Sequence, residues 1–133
     1  MKSESAKRKK RLDTLWADVI KARAGYKSEI SGREDGALAA HHIFGKPNLE
    51  LRYNLENGIC LLNHQEHIYG VHDKNDAGKR WKLEEGIKEL RGEHWMYLDS
   101  LRYVVSKQFD WKATEAYLRE ELRLAKIEHD GPF

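Results

Sequence analysis

Leu38-Ala39-Ala40-His41-His42-Ile43 and Asn57-Gly58-Ile59-Cys60-Leu61-Leu62 decide how this chain is read. Both are short apolar runs of the kind that forms buried strands. The first is broken by Gly45-Lys46-Pro47-Asn48, and the second is entered through the turn-forming pair Asn57-Gly58. The connection, residues 44 to 56, is long for a tight hairpin, and connections of that length more often serve function. Beyond Leu62, residues 63 to 69 are expected to form a helix that carries His67 back towards the strands, with Gly70 interrupting it. The order is strand, strand, helix. Five of the seven histidines (41, 42, 64, 67 and 72) fall within these 35 positions from Leu38 to His72. Imidazole is a common transition-metal ligand and titrates near neutrality, so the cluster marks a site. Successive strand residues face opposite ways, so His41 and His42 should diverge.

Outward from this unit the chain reads as helical. Leu12, Leu15, Trp16, Val19 and Ile20 recur at intervals of three and four, predicting one helix face that ends at Gly25. Residues 26 to 37 hold the turn pairs Ser31-Gly32 and Asp35-Gly36. Residues 80 to 91 align Leu83, Ile87 and Leu90 up to Gly92, and residues 93 to 107 align Trp95, Leu98, Leu101 and Val105. Asp110 can cap a last helix bearing Trp111, Tyr117, Leu118, Leu122 and Ala125. Trp81, Trp95 and Trp111 are read as packing residues rather than a platform for bases. The expected fold is therefore mainly α with one small β-hairpin, flanked by an N-terminal helix and C-terminal helices.

Residues 1 to 11 carry six basic side chains against Glu4, which leaves the rest of the chain net acidic within a total of +2. They are read as a disordered basic arm, either following phosphates or simply solvated, and residues 12 to 133 as one domain. With 40% hydrophobic and 35% charged residues, the chain is expected to be soluble and surface-rich. No apolar run approaches the length of a membrane span and no apolar leader precedes the first helix, so an intracellular, cytoplasmic protein is expected. Cys60, the single cysteine, is read as a small buried hydrophobe.

The string from Leu38 to His72, with Ala-His-His-Ile at its head, Leu51-Arg52-Tyr53-Asn54-Leu55-Glu56-Asn57-Gly58-Ile59-Cys60-Leu61 at its centre and a histidine-bearing helix at its end, resembles the HNH endonucleases. These are the ββα-metal, or His-Me finger, nucleases, many of them encoded by phages and mobile elements. The resemblance implies a ββα-metal core and a DNA partner. It makes His42 the general base and His41 a metal ligand, and it gives Asn57 the task of holding the loop that bears the base. His67 is the best match for the next ligand, followed by His72 and then His64. His67 and His72 lie about 140° apart on an ideal helix, so both reach one ion only if the helix ends or distorts near Gly70. One divalent ion is implied, Mg, Mn, Ni, Co or Zn.

Many relatives also carry two Cys-x-x-Cys pairs that bind a structural zinc. Ser28 and Ser31 stand at the first pair here, with Leu62 and Gln65 at about the second, so no structural zinc is expected. Arg52 is the first choice for a phosphate contact, with Lys46 and Arg23 behind it and the solvated surface charge as the ordinary alternative for each. The expectation is a metal-dependent DNA endonuclease leaving 5′-phosphate and 3′-hydroxyl ends. The alternative is a noncatalytic DNA-binding or packaging accessory that keeps the fold, and a homodimer or phage packaging proteins are further candidate partners.

Overall fold

Strands β1 (Leu38–His42) and β2 (Gly58–Leu62) pair antiparallel, with Leu38 opposite Leu62, Ala40 opposite Cys60, His41 opposite Ile59 and His42 opposite Gly58. This comes from a computed structural model that describes residues 3–45, 48–63, 77–104 and 108–130, with the side chains of 77–82 and 130 left aside. The described helices are α1 (Glu4–Arg23), α2 (Leu49–Arg52), α3 (Ala77–Arg91), α4 (Glu93–Ser100) and α5 (Trp111–Asp130). The molecule is thus mainly helical with one small two-stranded hairpin. No helix among the described residues is long and apolar enough to cross a membrane.

The hairpin is covered on both faces, which explains why β2 is apolar at successive positions instead of alternating. On one face Cys60, with Leu38 and Ala40 beside it, packs against Leu12, Leu15, Trp16, Val19 and Ile20 of α1 and Leu118 of α5. On the other, Ile59 and Leu61 meet Ile87 of α3, flanked by Ile43, Leu83 and Trp95. The outer side of β2 is engaged as well. Glu29 N–H donates to the Cys60 carbonyl at 2.9 Å, and the Glu29 carboxylate accepts from the Cys60 N–H at 2.8 Å. Arg91 of α3 then donates to that carboxylate and to the Gly58 carbonyl.

Two local readings change. The basic segment is helical from Glu4: Ser3 Oγ caps the Ala6 N–H, Arg8 lies 4.2 Å over the Trp111 ring, and Arg11 pairs with Glu115 at 2.7 Å. The stretch read as a disordered arm is therefore docked on α5 by its own cations. The helix expected over 93–107 stops at Ser100, followed by a 3-10 turn at Leu101–Tyr103, where Asn48 Nδ2 donates to the Leu101 and Val104 carbonyls. The long connection carries structure of its own: Asn48 also caps α2 through its Oδ1, and a 3-10 turn follows at Leu55–Asn57.

Candidate functional site

His41 and His42 occupy the last two positions of β1 and face opposite ways. His41 pairs with Ile59, whose side chain packs towards Ile87, so His41 lies on the α3 side. His42 lies on the α1 side, where its ring stacks on Trp16 with centroids 3.8 Å apart and planes inclined by 5°. Both histidines nonetheless line one cavity of about 390 Å³, together with Ile43, Gly45, Glu84, Ile87 and Trp95.

His42 is oriented by the backbone of the long connection. Its Nε2 is 2.9 Å from the Arg52 carbonyl oxygen. A carbonyl can only accept, so Nε2 carries the hydrogen and the lone pair of the neutral ring resides on Nδ1. The carbonyl is itself held through its own residue, because the Arg52 guanidinium grips Asp13 of α1 with two bonds of 2.7 and 2.6 Å. That pairing raises the Arg52 pKa above its ordinary value, the hydrogen bond to Asp13 being the largest cause. Arg52, the first choice for a phosphate, thus spends its fork of donors on an internal carboxylate, and a phosphate would have to compete with Asp13.

Asn57 is fully buried. Its Oδ1 accepts from the Phe44 N–H at 3.0 Å, while its Nδ2 donates to the Leu51 carbonyl at 3.0 Å and the Gly45 carbonyl at 3.4 Å. The backbone carbonyl of Asn57 also takes the Ile43 N–H at 2.9 Å. One amide side chain therefore ties Phe44 and Gly45 to Leu51 of α2, and the backbone carbonyl of the same residue holds Ile43. The Asn57-Gly58 pair closes the 3-10 turn that leads into β2, the Gly58 N–H donating to the Leu55 carbonyl. Gly58 is extended at φ −111° and begins β2. Its missing side chain serves another need: a Cβ there would lie 2.3 Å from Ile20 Cδ1 and 2.7 Å from Trp16 Cζ2.

The other candidates separate into two groups. Arg23 is exposed at the end of α1 and lines a smaller pocket with Glu29, Glu56 and Arg91, sharing no residue with the histidine cavity. His64, His67, His72, Lys46 and Gln65 lie outside the described residues. Among the described residues no group of three or more His, Cys, Asp or Glu could hold a metal ion. Of the described donors at the cavity, the His41 and His42 imidazoles suit a transition metal by ligand type, and the Glu84 carboxylate is an oxygen donor. At the positions of the first zinc-binding pair in the resembled family, Ser28 Oγ accepts the N–H groups of Ile30 and Ser31 and closes a turn; Leu62, at about the second pair, is buried.

Three elements of the site were not legible beforehand. Trp16 was visible only as an apolar helix position. Asp13 was visible only as a charge 39 residues from Arg52. Glu84 stood on the polar side of a predicted helix, and its place at the cavity depends on how α3 docks. No protein-family model, curated protein or solved structure matches this chain.

Proposed function

We propose that this protein is a metal-dependent DNA endonuclease of the HNH type, in which the hairpin and the histidine-bearing segment after it form the ββα unit. The observation that carries the reading is the division of labour at the end of β1. Two adjacent imidazoles leave the strand on opposite faces yet line the same cavity. A site built only to bind a cation has no use for a second imidazole held in a different orientation.

In this reading His42 takes the proton from the water that attacks phosphorus, using the nitrogen not bonded to the Arg52 carbonyl. Asn57 keeps residues 43 to 45 in place beside it through its side-chain hydrogen bonds to Phe44, Gly45 and Leu51 and its backbone carbonyl on Ile43. His41, with His67 and His72, would hold one divalent ion, Mg, Mn, Ni, Co or Zn. Such an ion, when bound, offsets charge on the phosphoryl oxygens and on the leaving 3′ oxygen. The products are 5′-phosphate and 3′-hydroxyl ends.

One observation favours the competing reading, a noncatalytic DNA-binding or packaging accessory. A purely structural histidine would also stack on Trp16 and bond to the Arg52 carbonyl. Supercoiled plasmid incubated with each ion in turn separates the two. His42→Ala should lose about 10²-fold or more in cleavage rate while keeping DNA and metal binding, whereas His41→Ala should weaken metal affinity. Cleavage by His42→Ala at the parental rate would overturn the role of the base. DNA binding without cleavage under every ion would select the accessory.

A further inference from the structure

A histidine at the end of a strand has a broad, roughly two-fold χ2 well, so its ring can turn and can exchange the positions of Nδ1 and Cδ2. A general base tolerates neither freedom, because the proton it receives must meet one nitrogen at hydrogen-bonding distance. Two constraints are needed, one on the plane of the ring and one on which way round it sits.

The first comes from Trp16. Its indole lies flat against His42, and it is anchored in turn by donating Nε1–H to the Asn54 carbonyl at 3.0 Å. Stacking alone does not distinguish the ring from its flipped form. The second constraint does: the Arg52 carbonyl accepts from Nε2, and the side chain of that residue is fastened to Asp13. Asp13 and Trp16 are three residues apart on α1, hence on one face of that helix. Gly58, the ladder partner of His42, completes the arrangement, because a Cβ there would collide with the indole.

We infer that Trp16 and Asp13 are positioning residues for His42, with Trp16 fixing the plane of the imidazole and Asp13, through Arg52, fixing its sense, in a slot kept open by Gly58. The inference rests on the nuclease reading and names what in α1 that reading requires. Trp16 also belongs to the core, so the test must separate orientation from packing.

Trp16→Phe and Trp16→Leu both lose the indole N–H and some volume, but only phenylalanine keeps a flat ring for His42. Asp13→Asn keeps the shape and removes the charge at a partly exposed position, so it stays informative if Trp16→Leu does not fold. Nitrogen NMR of the neutral His42 ring in the metal-free full chain reads the tautomer, and kcat and KM are measured on plasmid DNA. The parent and Trp16→Phe should hold the Nε2–H form. Trp16→Leu and Asp13→Asn should show mixed tautomers and a fall in kcat of about 10²-fold at unchanged KM, the scale expected when a reacting group is misplaced. Mixed tautomers with parental kcat overturn the positioning role and spare the nuclease reading. Equal losses in Trp16→Phe and Trp16→Leu with the tautomer intact make Trp16 a packing residue only and overturn its role. A parent that cuts under no ion overturns the nuclease reading, and the positioning role with it.

Discussion

On the α1 side of the hairpin, Leu12, Trp16, Val19 and Ile20 pack down to the strand backbone, so closely that Gly58 admits no side chain. On the α3 side, Ile59, Leu61 and Ile87 leave a cavity of about 390 Å³ open beside His41. One two-stranded sheet thus has a filled face and an incompletely filled one, and His42 sits where they meet, with its ring on the filled side and an edge on the cavity. A small hairpin has little stability of its own. Rigidity for a base and room for a substrate are both obtained by assigning them to different faces, with Asn57 joining the loop between them.

That joint is the place to break the comparison most severely. Asn57→Asp is nearly isosteric, yet it replaces two donors by a carboxylate facing the Leu51 and Gly45 carbonyls in a site without solvent exposure. Leaving a buried charge unpaired costs about 3–5 kcal/mol, and the loss should appear as a fall in the urea midpoint. Asn57→Ser, smaller but still able to accept from Phe44, should lose less. If the two variants are equally stable, the amide is not the tie that the hydrogen bonds describe.

The faces themselves can be weighed by truncation. Leu118 of α5 is fully buried in the α1-side cluster, and Leu118→Ala should cost about 3–4 kcal/mol because the surrounding helices cannot close the void. Ile87, 3% exposed, borders existing empty space, so it has fewer packing partners to forfeit, and Ile87→Ala should cost about 2 kcal/mol. Denaturation of both variants under one set of conditions gives the comparison directly. A larger loss at Ile87 would mean that the α3 face carries the stability.

How much of this was legible depended on whether the signal was local. The hairpin strands could be read because apolar, strand-favouring residues lay between breakers, and Asp110 announced α5 by the cap it makes, accepting the Ala113 N–H at 2.9 Å. The first turns of α1 could not, since Lys7, Arg8, Lys9, Lys10 and Arg11 show no apolar period, and their order comes from partners on α5, over a hundred positions away. Asn57 and Gly58 were noticed as a turn pair, and Asn57 also, by resemblance, as the residue that holds the loop of the base. Burial supplies what a local window does not: the partners that Asn57 ties together and the indole for which Gly58 gives clearance. The Arg52 side chain was read as facing outward for the same reason: nothing in a local window pairs it with Asp13.

The smallest effect reports on the filled face alone. Tyr53 is 5% exposed in the α1-side cluster, and its hydroxyl donates to the Lys9 carbonyl at 3.4 Å. Burial, and after it the charge of Asp13, pushes its pKa up to about 12. In the unfolded chain the phenol ionises near pH ~10. Folding therefore favours the neutral phenol, so the contribution is fully present below the unfolded value and is lost as the pH climbs from there towards the folded one. The urea midpoint should accordingly fall between about pH 9 and about pH 11.5 in the parent and fall less in Tyr53→Phe, which has no phenol to ionise. An equal fall in both would assign the alkaline loss to other groups. A fall confined to the parent would show that the α1-side cluster excludes charge at Tyr53.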